Sequence, residues 1–178
     1  MKEINFYKYN RIFGVIAGLF SFVIFSLTVE PTASYWDCAE YISTSAKLQI
    51  GHPPGAPLFQ MLGAIFSILA FDVTQIAYAV NMMSVTSSAL TIMFLFWSIS
   101  LIAKEILKVK EIVKVSEAIK IFGSSFLGSI TFTFTDSFWY NAVEAEVYAM
   151  ATLILALLFW LGLKWVDDFG KVRSDKWL

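Results

Sequence analysis

Long apolar runs separated by short polar stretches dominate the chain. Residues 12–29, 77–103, 121–135 and 147–166 are rich in Leu, Ile, Val, Phe, Ala and Met. A helix needs about 20 mostly apolar residues to cross the hydrocarbon of a bilayer. The pattern therefore predicts an all-α fold, a multi-pass membrane helical bundle with about four transmembrane helices at 11–29, 77–103, 121–135 and 147–166. Pro31 is expected to end the first of these. Gly14 and Gly18, four apart within it, permit close helix approach. The N-terminal run follows Lys2, Lys8 and Arg11. It is long for a signal-peptide core and lacks a small-residue cleavage site, so it reads as an uncleaved anchor.

A fifth run, Leu58–Phe71, is short for a span. Charge decides its place. Lys104–Lys120 holds five lysines and three glutamates, and cytoplasmic loops collect Lys and Arg. The N-terminus is basic as well, so both belong on the cytoplasmic side with an even number of crossings between them. The helix 58–71 is then expected to lie along the outer membrane surface or dip into it, started by Pro57 as its first residue. Residues 30–76 become the first outer loop, with interfacial helices, and 1–178 form one membrane domain. The last span leads to a basic tail with Lys164, Lys171, Arg173 and Lys176, which puts both ends of the chain in the cytoplasm and the protein in the inner membrane. Lys108, Glu111, Lys114, Glu117 and Lys120 alternate in sign at three-residue spacing, which suits a helix on the membrane surface.

The whole sequence agrees with a membrane protein. It is 58% hydrophobic and 15% charged, against about 25% charged in soluble domains. A net charge of −1 without a basic, aromatic-studded patch gives no sign of a nucleic-acid partner. One cysteine excludes an internal disulfide.

The chemistry is concentrated in Glu30–Leu58. That stretch holds three carboxylates, Glu30, Asp37 and Glu40, the single histidine His52, the single cysteine Cys38 and all four prolines. Ser34 and Asp37 fit a capping box for a helix over 35–48, with Gly51 as its stop. Asp37, Glu40 and Tyr41 then share a face at i, i+3 and i+4. A carboxylate at a membrane boundary can accept the proton of a hydroxyl. The plainer roles are a helix cap for Asp37, and solvent or a pairing with Lys47 for Glu40. His52, before two prolines, could be a general base, a phosphate contact or the anchor of a rigid turn. A lone histidine lacks the cluster that a metal site needs, so no metal and no cofactor is expected, although nothing in the sequence forbids a divalent ion.

The second outer loop reads DSFWYNAVEAEVYA. Glu144 and Tyr148 share a helical face, whereas Glu146 lies about 200° from Glu144 on a regular helix, too far for one site. Trp139 and Tyr140 suit an interfacial aromatic belt.

Three blocks in this order, Tyr35–Tyr41, Gly51–Leu58 and Asn141–Tyr148, resemble the bacterial family called domain of unknown function 2723. That family is related to a eukaryotic transmembrane protein O-mannosyltransferase, and both are similar to the wider GT-C glycosyltransferases. The resemblance covers about residues 10–170. It implies a GT-C-like fold and transfer of a sugar such as mannose from a polyprenyl-phosphate donor to a protein or envelope-glycan hydroxyl on the periplasmic side. It also puts Asp37, with Glu40 close behind, where the family carries an acidic base. His52-Pro53-Pro54 looks like a His-Pro-Pro-Leu element of protein O-mannosyltransferases, with Gly55 in place of the leucine. Tyr41, Lys47, His52, Glu144 and Tyr148 are the expected substrate contacts, and membrane lipids the surroundings. Relatives of this kind are several times longer, so the chain is expected to be the N-terminal part of such an enzyme.

Two readings from other classes stand beside this one. A transporter or flippase-like subunit would use Asp37, Glu40 and Glu144 as an ion path, and would place carboxylates in mid-span. A structural membrane subunit would not need Asp37 at all.

Overall fold

The computed structural model describes residues 2–169, so the expected tail residues Lys171, Arg173 and Lys176 lie outside the described residues. Seven α-helices are described: α1 Phe6–Thr28, α2 Cys38–Lys47, α3 Pro57–Ile68, α4 Ile76–Ile106, α5 Val115–Thr133, α6 Asp136–Val143 and α7 Val147–Asp168. Phe6–Thr28, Val73–Ile106 and Val147–Asp168 are long and apolar enough to cross a membrane. The all-α, multi-pass membrane architecture expected from the hydrophobic pattern is thus present. The fourth expected span corresponds to α5, which carries Glu117, Lys120 and many hydroxyls among its 19 residues and is less apolar than the other three. Ser125, Ser129 and Thr133 are buried and donate to carbonyls one turn back. Helix α3 has 12 residues. At 1.5 Å per residue it reaches about 18 Å, well short of a ~30 Å hydrocarbon core.

The chain divides into two compact units. One comprises Met1–Ser21, Leu90–Phe134 and Ile154–Leu178, the other Phe22–Ala89 and Thr135–Leu153.

In the first unit the expected surface helix over Lys108–Lys120 is interrupted: only its last part, from Val115, is helical. Helix α4 stops at Ile106, Lys108 turns through a positive φ of 52°, and Ile112–Lys114 forms strand β2. It pairs antiparallel with strand β1, Glu3–Asn5, with Ile4 opposite Val113. The β-branched Ile112 and Val113 favour a strand, and Val113 is buried. Helix α5 then starts at Val115, where Glu117 accepts from the Lys114 N–H at 3.3 Å. Phe6 stacks on Phe122 at 5.5 Å, and Ser21 bonds to Thr133 at 3.0 Å. A Cβ on Gly14 would fall 1.9 Å from the Trp97 indole, so this glycine is needed for close approach. The indole N–H donates to the Asn10 carbonyl at 3.0 Å, and the buried Asn10 amide oxygen accepts from Ser100 at 2.6 Å. Lys164, expected in the tail, lies within α7 instead.

The second unit packs α2 and α3 around Cys38, Tyr41, Ile42 and Phe59, with Val80 and Met83 of α4 and Ala145 and Met150. Gly63 lets α3 approach α2: a Cβ there would lie 2.5 Å from the Ser45 hydroxyl. Asn81, fully buried in α4, donates to the carbonyls of Glu30 and Thr32 at 2.7 and 2.9 Å. One side chain thus pins the chain where it leaves α1, which ends at Thr28 rather than at Pro31.

Candidate functional site

Helix α2 begins later than its sequence suggests, and this matters for the chemistry. Asp37 is the N-cap, yet its side chain makes no capping hydrogen bond. Ser34, the other half of the expected capping box, donates instead to the Glu144 carboxylate. The plain structural role foreseen for Asp37 is therefore absent, and its carboxylate is left about half exposed. At the other end of α2, Leu48 adopts the left-handed conformation with φ 49°. The helix stops there and not at Gly51. The glycine serves another purpose: a Cβ on it would lie 3.1 Å from a Glu40 oxygen.

That close approach brings His52 onto Glu40. The His52 N–H donates to Glu40 Oε1 at 2.6 Å, and His52 Nδ1 lies 2.9 Å from Oε2. With a carboxylate as its partner, Nδ1 carries a proton. The other ring nitrogen, Nε2, lies 3.8 Å from Asp37 Oδ2. His52-Pro53-Pro54-Gly55 closes a tight turn in which the Gly55 N–H donates to the His52 carbonyl at 2.8 Å. The Pro53–Pro54 bond is cis, and Gly55 has φ 78°, a conformation that favours glycine over leucine at this position. Glu40 does not pair with Lys47. Lys47 ends α2, exposed, and does not line the cavity described next.

A cavity of about 530 Å³ opens at this point, within the range of small-ligand sites. Asp37, Tyr41, His52, Glu144 and Tyr148, all singled out from the sequence, line it. Trp36, Asn141 and Glu146 line it too, and sequence reasoning missed these as site residues. Glu146 was excluded because a continuous helix would turn it away from Glu144. The helix is in fact broken: α6 ends at Val143, Glu144 is extended at φ −136° and ψ 161°, and α7 starts only at Val147. Outside a helix the 200° argument has no force, and both glutamates face one cavity. The proximity of two carboxylates in a non-helical link was a signal, had the link been recognised.

Electrostatics separates these groups. Glu40 is held below its ordinary value, first by the His52 backbone N–H and then by the imidazole. His52 is raised, chiefly by its hydrogen bond to Glu40. Glu146, only 7% exposed, is pushed up to about 6, first by burial and then by Glu144 and Asp37. The Tyr41 phenol is raised by burial, then by Glu146 and Asp37. Its ring lies 6.2 Å from the imidazole.

Asp37, Glu40 and His52 each offer a ligand atom within 4.8 Å of the others. The fold thus gives the single histidine the carboxylate neighbours that its isolation in the sequence concealed. Because Nδ1 is engaged by Glu40, an ion there would use Nε2 and Asp37, with Glu40 orienting the ring from behind.

A family profile described as "Protein O-mannosyl-transferase TMEM260 N-terminal domain" matches residues 37–178. A protein of Dictyostelium discoideum named protein O-mannosyl-transferase tmem260 is 27% identical over 141 residues, covering 79% of this chain and 15% of that protein. The mouse protein of the same name is 25% identical over 153 residues, 86% of this chain and 19% of its own length. The chain thus spans less than a fifth of the curated relatives it matches. No solved structure matches it significantly.

Proposed function

The chain belongs to the family of protein O-mannosyl-transferase TMEM260 N-terminal domains, and from that premise we propose that its acidic cavity is part of a membrane glycosyltransferase of GT-C type. The donor would be a polyprenyl-phosphate sugar, with mannose the sugar that the relatives' names suggest. The acceptor would be a hydroxyl of a protein on the periplasmic side, with both ends of this chain in the cytoplasm.

One observation carries the reading: Asp37 is an uncommitted carboxylate beside a histidine whose other face is locked. Asp37 would take the proton of the acceptor hydroxyl. The acceptor oxygen would then attack the anomeric carbon as the bond from that carbon to the phosphate oxygen breaks. The bonding pair leaves with the polyprenyl phosphate, and the configuration inverts. A general base of this kind contributes about 10²–10⁴-fold. Glu40 is the weaker candidate for the base, since both its oxygens are engaged by His52 and its acidity is increased. It acts as a positioning residue. His52, kept cationic to higher pH by Glu40, would donate to the leaving phosphate. No lysine or arginine lines the cavity among the described residues, which leaves the imidazolium as the cation on hand.

The test is sugar transfer from polyprenyl-phosphate mannose to a peptide, in the complete protein as its gene encodes it, normalised to folded protein. Asp37→Asn should lose about 10²–10⁴ in turnover, and Glu40→Gln should lose less. Normal transfer by both variants would remove the catalytic reading of this cavity. Loss confined to Glu40→Gln would reassign the base.

A further inference from the structure

Trp36 has no role in the scheme above, yet it is the most anomalous residue of the cavity. Its φ is 59°, in the left-handed region that bulky L-residues rarely enter. Glycine or asparagine would adopt that conformation with less strain. The residue is 93% exposed. A tryptophan held in a costly conformation, with its indole in water, gains nothing for the core. Such outliers persist where the side chain is needed for another purpose.

The surroundings indicate the purpose. Trp36 lines the same cavity as Asp37, Glu144, Glu146, Asn141 and His52. A pyranose has two chemical characters: faces of polarised C–H groups and a rim of hydroxyls. An indole offers a flat, electron-rich surface for the face. Carboxylates and an amide accept the rim hydroxyls. A tryptophan serving only as an interfacial anchor would lie against lipid headgroups and would have no reason to share a cavity with three carboxylates.

We infer that Trp36 is the stacking platform for the glycosyl unit of the donor, and so a specificity-determining residue beside Asp37. The inference rests on the proposed sugar transfer. It adds to that reading the residue that recognises the sugar rather than the lipid phosphate.

Binding can be measured apart from turnover. The complete protein in nanodiscs is titrated with a short-chain polyprenyl-phosphate mannose and, separately, with the sugarless polyprenyl phosphate, without acceptor. Trp36→Ala and Trp36→Leu should weaken binding of the glycosylated lipid about tenfold, while Trp36→Phe stays within about threefold. Binding of the sugarless lipid should be unchanged in all three. Trp36→Leu keeps the apolar bulk without the π-face, so it separates stacking from packing if the alanine variant folds poorly. Equal weakening toward both lipids would mean that Trp36 contacts lipid, and unaltered mannose-lipid binding would mean that it contacts nothing relevant. Either result overturns the inference and leaves the transferase reading standing. If the wild type binds the mannose lipid no more tightly than the sugarless one, Trp36 has no glycosyl contact to make and the inference falls, whereas loss of the transferase reading would show as absence of sugar transfer by the wild type.

Discussion

The two units handle charge in opposite ways. In the first, opposite charges meet: Lys104 contacts Asp167, and Lys164 lies 3.7 Å from Asp167 and 3.4 Å from Asp168. Tyr7 donates to Asp167 at 2.8 Å and accepts from Lys104 at 3.1 Å. The lysine and aspartate side chains are only about a tenth exposed. A nearby cavity of about 1040 Å³ is bordered by lysines and acids in similar number. In the second unit, Asp37, Glu40, Glu144 and Glu146 gather around one imidazole. Lys104, Lys164, Asp167 and Asp168 each have an opposite partner within 4 Å that lowers the energy of the fold. The second unit keeps carboxylates close together without enough positive charge to balance them, an arrangement that shifts proton affinities and suits catalysis. Charge content alone does not mark a site; unbalanced charge of one sign beside a cavity does.

The widest gap between the units should appear in turnover. Asp37→Asn should cost about 10²–10⁴ in rate per folded molecule and leave the unfolding midpoint nearly unmoved, because Asp37 makes no capping bond. Lys104→Met should do the reverse. Removing it strips Asp167 of one of its cations while Lys164 remains, and a loss of about 1–3 kcal/mol in stability is expected. Denaturation in detergent and transfer assays on the same preparations check both. Should Lys104→Met abolish transfer at full stability, the division between structural and chemical charge would be broken.

A subtler effect is a shift in pH dependence. The Glu40 carboxylate favours protonated His52, so the folded-state value lies above the ordinary one near 6.5. The pair's contribution is complete below that ordinary value and is lost as pH rises through the raised one. Binding of a phosphate-bearing donor should weaken over the same range. In Glu40→Gln the imidazole loses the charge that raised it, so the alkaline limb should move to lower pH. Donor affinity measured from pH 5 to 9 gives the answer. An unmoved limb would mean that another group sets it.

The fold was legible where the signal is local. Continuous apolar runs gave α1, α4 and α7, and Pro57 does stand first in α3, because its fixed φ and missing N–H suit only that position in a helix. The cluster of Asp37 and His52 in one polar stretch was also visible. What stayed hidden depends on distant partners. The β1–β2 pair joins residues some 110 apart in sequence. The sign alternation from Lys108 to Lys120 imitated one continuous helix; a turn at Lys108 and the β-branched Ile112 and Val113 keep 108–114 out of it, and only Glu117 and Lys120 lie in α5. The grip of Glu40 on His52 needed the direction of the Leu48–Gly51 chain, which no spacing rule supplies. Glu146 was lost to one assumption, that the helix continued.

The smallest expected effect concerns Glu146, and it tests whether the second unit keeps charge at a cost. Folding raises its carboxyl from 4.5 to about 6. Between those values the folded protein binds more protons than the unfolded one, so stability must fall as pH rises from about 4.5 to 6. Glu146→Gln removes the titration. Variant and wild type should be about equally stable below pH 4.5, where both side chains are neutral. Above pH 6 the variant should be the more stable, by less than about 2 kcal/mol because the cavity opens to solvent. Unfolding midpoints in detergent from pH 4 to 8 measure the difference. If the wild type is instead the more stable at pH 8, an unseen cation pairs with Glu146, and the second unit balances its charge after all. If the prediction holds, the carboxylate persists despite lowering stability at neutral pH, which is expected of a group kept for the cavity's chemistry.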